Sequence, residues 1–278
     1  MFTDLSKSAM LALIAATALA LMCSPSEVVA EPMARTGESE DGWRHSLTAY
    51  AFLPAQTSGT STVAGSDVDL DLSLGDVLDN DLLDFALAGR YEGWNGDWGI
   101  IVDANYVKLG TDITQTLGPG PGLEVDADIR QSWLGVMAAY RAVNTTYGEN
   151  NRRLTFDVQG GVRYNGLKQE FDIKTPGPAA TVGGTEYWWE PVVGARVMWE
   201  INDKWAGAVD TNFGGFGAGG DDLQIVATAG VSYRAWENTS LRFGYRYYSI
   251  DYSTDRSDGT FALDMDQHGP YLGLTFHF

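Results

Sequence analysis

Leu154-Thr155-Phe156-Asp157-Val158-Gln159-Gly160-Gly161-Val162-Arg163-Tyr164-Asn165 is the stretch whose reading decides the fold. Taken two at a time, Leu154, Phe156, Val158, Gly160, Val162 and Tyr164 share one face, and Thr155, Asp157, Gln159, Gly161, Arg163 and Asn165 share the other. That is the alternation of a β-strand lying between an apolar and a polar environment. The pattern recurs in both directions. Upstream, Phe85, Leu87, Gly89 and Tyr91 oppose Ala86, Ala88, Arg90, Glu92 and Trp94, and Trp98, Ile100, Val102, Ala104 and Tyr106 oppose Ile101, Asp103 and Asn105. Downstream, Tyr187, Trp189, Val193, Val197 and Trp199 oppose Glu190 and Arg196, while Trp205, Val209 and Phe213 oppose Asp210 and Asn212. Leu223, Ile225, Ala227, Ala229, Val231 and Tyr233 oppose Gln224, Thr228, Ser232 and Arg234, and Leu241, Phe243, Tyr245 and Tyr247 oppose Arg242, Arg246 and Tyr248.

These stretches predict ten strands over 43–53, 83–94, 98–109, 127–143, 154–169, 186–199, 205–213, 223–236, 240–252 and 261–278. A count of eight or twelve stays open, because 60–63 and 68–72 can pair as a hairpin inside a loop or extend the wall. Connections alternate in length. Those at 95–97, 144–153, 202–204 and 237–239 are brief, whereas 54–82, 110–126, 171–185, 214–222 and 253–260 are generally longer and rich in Gly, Pro and Asp. Brief turns at one end and long loops at the other are the layout of a transmembrane β-barrel.

A soluble β-sandwich shares the alternation, so the alternation alone does not decide between them. Aromatic residues mark the ends of the apolar face, with Trp98 and Tyr106, Trp189 and Trp199, Trp205 and Phe213, and Tyr140, Tyr164 and Tyr233 near other strand ends. Such girdles sit at membrane interfaces. The polar face holds single Arg, Asp or Glu residues among Gly, Ala, Ser and Thr, as a narrow interior requires. Lys108 and Lys168 are the lysines within the predicted strands, both near the long-loop end.

The sequence closes on Gly269-Pro270-Tyr271-Leu272-Gly273-Leu274-Thr275-Phe276-His277-Phe278. Alternating Leu272, Leu274, Phe276 and Phe278 resemble the last strand of Gram-negative outer-membrane β-barrel proteins. Tyr50-Ala51-Phe52-Leu53-Pro54 followed by Val68-Asp69-Leu70-Asp71-Leu72-Ser73-Leu74 looks like small opacity-type or porin-like members. The resemblance implies an all-β chain forming a single antiparallel transmembrane barrel in the cell outer membrane. It also implies contact with outer-membrane lipid and lipopolysaccharide, and recognition of the four terminal apolar residues by the barrel assembly machinery.

Over its 278 residues the chain carries 18 Lys+Arg against 37 Asp+Glu, a formal net charge of −19. Such a balance repels nucleic-acid phosphates, so no nucleic-acid partner is expected. The one cysteine, Cys23, cannot form an internal disulfide, and no Cys/His spacing fits a structural zinc. Residues 1–30 read as a cleaved secretory signal: Lys7 precedes an uncharged run too short to span a bilayer, and Val28-Val29-Ala30 supplies a small-residue cleavage site. A polar lead, 31–42, then precedes the barrel, 43–278.

The internal face is the chemically informative surface. Arg90, Arg141, Arg163, Arg196, Arg234, Arg242 and Arg246 stand against Glu92, Asp103, Asp157, Glu190 and Asp210. Charges in a narrow lumen must be paired or hydrated. They therefore predict either an ion-pair network that fills the barrel or a pore whose lining tunes small-solute passage. Acidic residues crowd the loops, with Asp67, Asp69, Asp71, Asp76, Asp79, Asp81 and Asp84 in the first. They suit a solvated edge or, alternatively, the contact surface of an adhesin. No calcium-loop motif follows them, and neither metal nor cofactor is expected. His45, His268 and His277 are the only histidines, and none is tied by spacing to a serine or an acidic pair, so no catalytic residue is assigned.

Overall fold

Alternating side chains need a paired backbone on both edges of every strand, and a bilayer leaves no edge unsatisfied, so such a sheet has to close. The computed structural model describes residues 42–79, 83–115, 123–174 and 180–278, and the sheet it contains is closed. Its elements are β1 (Arg44–Phe52), β2 (Gln56–Val63), β3 (Ser66–Ser73), α1 (Leu74–Asp79), β4 (Leu83–Asn95), β5 (Trp98–Gln115), β6 (Leu123–Tyr147) and β7 (Arg152–Lys174). They continue with β8 (Ala180–Glu200), β9 (Trp205–Ala218), β10 (Asp221–Trp236), β11 (Thr239–Arg256) and β12 (Gly259–His277). Strands β1 and β4 to β12 pair in sequence order, all antiparallel, and β12 returns to β1 with Ser46 opposite His277 and Phe52 opposite Tyr271. The signal segment, residues 31–41 of the lead and residues 116–122 of the predicted 110–126 connection lie outside the described residues.

The hairpin β2–β3 supplies the two strands beyond the ten of the barrel. β2 continues along β12 beyond the end of β1, pairing Gln56 with His268 and Thr62 with Ala262. Leu53, Pro54 and Ala55 make the step, with the Leu53 and Ala55 amides donating to the Pro270 and His268 carbonyls at 3.0 and 2.8 Å. This crossing passes so close to Gly269 that a Cβ there would stand 2.1 Å from the Leu53 carbonyl oxygen, which only glycine avoids. At the end of β3, Ser73 caps α1. Its Oγ donates to Asp76 Oδ2 at 2.6 Å and accepts from the Asp76 amide at 3.2 Å, a reciprocal cap that draws the Asp76 carboxyl below its usual range.

Strand lengths depart from the sequence expectation. The stretches 110–115, 123–126, 171–174 and 180–185, expected as loop, continue the strands, so β6 runs 25 residues and β7 23. That is more than twice the ~9–11 residues that cross a bilayer. The reason is pairing. Gly110 to Gln115 lie opposite Asp128 to Leu123, and Glu170 to Ile173 opposite Gly183 to Ala180, so the ladder satisfies these polar stretches even though composition alone reads as loop.

Candidate functional site

Around the barrel, the residues of the apolar face point outward. Trp98 is 64% exposed, Trp189 62% and Val193 51%, with Ile100, Val136, Val162, Val209, Phe243, Leu272 and Phe276 also exposed. Aromatic rings meet on this surface at the band's edges. Trp98 packs on Tyr140 and Trp205 on Tyr233 at 4.9 Å, at the end of the short turns, while Tyr164 packs on Trp189 at 4.8 Å toward the other end. At the short-turn end His45 stacks with Trp43 and Phe278 and accepts or donates a 2.7 Å hydrogen bond with Tyr91.

Inside the band, the structure brings most of the predicted internal charges into one network. Arg90 Nε meets Glu92 Oε1 at 2.9 Å and also approaches Asp103 and Asp210 at 3.6 and 3.3 Å. Arg196 bridges across the lumen from β8 to Glu92 on β4 at 2.7 Å, and to Asp157 at 3.0 Å. Asp157, fully buried, takes a second fork from Arg141 at 2.8 and 3.2 Å. Trp94 Nε1 donates to Glu92 at 3.1 Å, and the Arg141 guanidinium lies over the Trp94 ring at 4.4 Å. A second group joins Arg163 to Glu190 at 3.1 Å and to Asn212. Each carboxylate thereby keeps charged donors in place of water, which is what makes its burial tolerable.

Arg246 differs from the paired expectation. Its guanidinium lies over Tyr50 and Tyr271 at 4.6 and 4.8 Å and its Nε donates to Thr228 at 3.1 Å, so aromatic faces rather than a carboxylate hold it. Spacing within one strand cannot show this, because the rings come from the neighbouring β12 and from β1 beyond it. Arg234 and Arg242 line the interior nearer the short turns, together with Arg44 and Arg153, which sequence reading did not assign to the lumen.

Toward the long-strand end the interior changes character. Leu167, Trp188, Val226, Tyr248, Ile250, Tyr252, Phe261, Leu263 and Met265 form a buried apolar cluster, with Trp133, Phe52 and Leu70 packed on it. Contacts span the lumen: Trp188 of β8 stacks on Tyr252 of β11 at 3.9 Å, and Trp133 of β6 on Tyr248 at 5.4 Å. Higher still, Arg256 of β11 reaches Glu186 of β8 at 2.8 Å. Below this cluster a cavity of about 570 Å³ runs to the short-turn end, lined by the charge network and by Met137, Val192, Met198 and Val226.

Polarity on the outer wall inverts at the same height. Lys168 holds Asp128 and Glu170 at 2.8 and 2.9 Å, and Arg130 holds Asp128 at 2.7 Å, above the upper aromatic edge. Burial pushes the Asp128 carboxyl up, but hydrogen bonds from Arg130 and Lys168 and their charges outweigh it and leave it below its usual range. The three histidines stand apart. His268 meets the Tyr245 hydroxyl on the outer wall at 2.6 Å, and His277 meets Ser240 at the cavity mouth at 3.2 Å. Asp221 is buried and accepts from Trp188 Nε1 at 3.0 Å, whereas Asp222 is exposed, so these neighbours do not form a working pair. Among the described residues no group of three or more His, Cys, Asp or Glu is placed to hold a metal.

A closed antiparallel barrel with an apolar, aromatic-edged outer wall and brief turns at one end is a transmembrane β-barrel of the Gram-negative outer-membrane class. In barrels of this class the short turns face the periplasm and the longer connections the exterior. Among solved structures, it is similar to the translocator domain of autotransporter NalP from Neisseria meningitidis (14% identity over 98% of each chain, TM-score 0.42). It is also similar to the outer membrane protease OmpT from Escherichia coli (9% identity, 88% of this chain and 99% of that one, TM-score 0.41). A third is Ail, the attachment invasion locus protein of Yersinia pestis (11% identity, 86% of this chain and 100% of that one, TM-score 0.34), solved with the heparin analogue sucrose octasulfate. No family model matches the chain, and no curated protein matches it.

Proposed function

We propose that the protein is a structural outer-membrane barrel with a non-conducting lumen, acting through the acidic β-surface its strands raise beyond the outer leaflet. The observation that carries this reading is the apolar cluster around Tyr248 and Phe261, which fills the interior above the charge network and supports a closed rather than a porin-like lumen. Exposed Asp67, Asp69, Asp71, Asp222, Asp251, Asp255, Asp258 and Asp264 give the projecting strands a strongly negative outer surface, suited to steering toward a cationic partner. The same reading includes export by residues 1–30, insertion by the barrel assembly machinery through Leu272, Leu274, Phe276 and Phe278, and lipid and lipopolysaccharide along the apolar band.

Conductance in a planar bilayer tests it, using preparations that show a heat-sensitive gel-mobility shift. The wild-type protein is expected to be silent, and Tyr248→Ala with Phe261→Ala is expected to open discrete steps. Salt-dependent steps in the wild type, altered by Arg196→Gln, would replace the closed reading with a charged pore. For the outer surface, Asp67→Asn, Asp69→Asn and Asp71→Asn together should weaken retention of whole cells on a polylysine-coated surface. Unchanged retention would remove the adhesive part of the reading.

A further inference from the structure

We propose that the open edge of β3 is a docking site for an extended basic peptide, which adds to the sheet as a further strand with alternating cationic and apolar side chains. The inference rests on the reading that the projecting acidic strands meet a cationic partner, and it names the form that partner takes. β3, eight residues from Ser66 to Ser73, stands last in the strand order, beyond β12 and β2. It pairs with β2 along its whole length, from Gln56 opposite Ser73 to Val63 opposite Ser66. Among the described residues no strand pairs with its other side.

Every second residue of such a strand turns its N–H and C=O away from the neighbour it already has, and those groups are a template for another backbone. Proline, lysine and bulges are the usual means of blunting an edge. β3 holds neither proline nor lysine, and its pairing with β2 runs without a register shift. Its side chains are sorted by face. Asp67, Asp69 and Asp71 alternate with Val68, Leu70 and Leu72, and the three aspartates are exposed. Leu70 packs on the apolar cluster, whereas Val68 stays 52% exposed. On β2 the aspartates meet Thr62, Thr60 and Ser58, which are neutral, and Thr62 Oγ1 donates to Asp67 Oδ1 at 2.7 Å.

The two faces set what can pair there. A strand laid beside β3 places alternate side chains directly opposite the three aspartates, where a lysine or arginine is favoured and an acidic residue opposed. Its intervening side chains come to rest beside Val68 and Leu70, where apolar groups lose water. A second copy of this chain does not fit. Two β3 edges brought together set aspartate against aspartate or, slipped by one residue, against Val68 and Leu70. In strand addition main-chain hydrogen bonds supply the affinity and alternate side chains the specificity.

Fluorescence anisotropy tests this with the folded protein in a neutral detergent and a labelled peptide of alternating Lys and Val as long as β3. Saturable binding is expected, and a peptide with the same residues in two blocks, lysines then valines, should bind about tenfold more weakly or not at all. N-methylation of every Lys amide and, separately, of every Val amide should part the two peptides, one losing binding and the other keeping it, because only one set of amides faces β3. Asp69→Lys with Asp71→Lys should weaken binding about tenfold or more, since two favourable cross-strand pairs become repulsive. Asp251→Asn is the control and should change it by less than about twofold. Its strand, β11, lies four strand spacings from the added one, roughly 19 Å, past the ~8 Å reach of a charge in physiological salt. If the double variant loses its gel-mobility shift, Asp69→Lys alone carries the same reading. Equal binding of the alternating and blocked peptides, or equal effects of the two methylations, overturns edge pairing while leaving the acidic surface in place. Absence of peptide binding, in a protein whose cells still need Asp67, Asp69 and Asp71 for retention on polylysine, likewise overturns edge pairing alone. If retention is also unchanged by their replacement, the acidic-surface reading falls with it.

Discussion

Replacing Asp157 with alanine should destabilise the barrel by about 3–5 kcal/mol, read as a shift in the urea midpoint of the protein refolded into lipid vesicles. Asp157 is fully buried and accepts from two guanidiniums, Arg141 at 2.8 Å and Arg196 at 3.0 Å. Its removal does not simply subtract an attraction. It leaves two buried cations whose hydration was given up on insertion, with Arg196 keeping Glu92 and, at 5.7 Å, the Trp94 ring, and Arg141 keeping the Trp94 ring. Arg130→Ala is the matched control, because Arg130 meets Asp128 at the solvated rim with its side chain 43% exposed. An exposed pair of this kind contributes about 0–1 kcal/mol. Equal losses in the two variants would mean that the interior network is hydrated well enough to behave like a surface.

Val193→Arg should cost about 2–4 kcal/mol in the same assay, and Ser132→Arg only about 0–1. Val193 lies on the outer wall of β8 between the aromatic edges marked by Trp189 and Trp199, with Gly160 and Phe213 opposite it. A guanidinium there would face hydrocarbon. Ser132 faces the same way on β6 but sits opposite Tyr106 and Gly166, at the upper edge, where a long side chain reaches headgroups and water. The reverse ranking would move the membrane band along the strands.

Much of this was legible in the sequence, because a period of two names the face of every residue once one inward charge is placed. Ten of the twelve predicted internal charges line the cavity, Asp157 and Glu190 are buried, and the ten wall strands sit where alternation put them. Two things were not legible. Polar stretches such as 110–115 and 123–126 read as loop by composition, yet each supplies the other's ladder partner, and pairing between distant segments leaves no local trace. Arg153 was read as part of a turn because Asn150, Asn151 and Gly148 surround it, although its side chain lines the mouth.

The apolar cluster did leave a trace. On β12 the apolar residues are Phe261, Leu263 and Met265, then Leu272, Leu274 and Phe276, a change from odd to even positions with no change in strand direction. On β11, Tyr248, Ile250 and Tyr252 alternate with Ser249, Asp251 and Ser253 in the same inverted sense. Such a switch of parity marks the height at which oil outside gives way to water and the core moves within.

That switch fixes where the molecule floats. A barrel with uniform outer polarity can ride up or down by a residue pair at little cost, but here an upward slip draws Leu272 into water and a downward one pushes Asp264 and Asp266 toward hydrocarbon. Lys168 and Arg130 stand guard on β7 and β6 in the same way. Mismatch between strand and bilayer thickness then has to be absorbed by the lipid, which thins or thickens around a protein that cannot shift. The protein therefore carries its own draught line, and membranes of a different thickness would meet it with strain rather than with a change of depth.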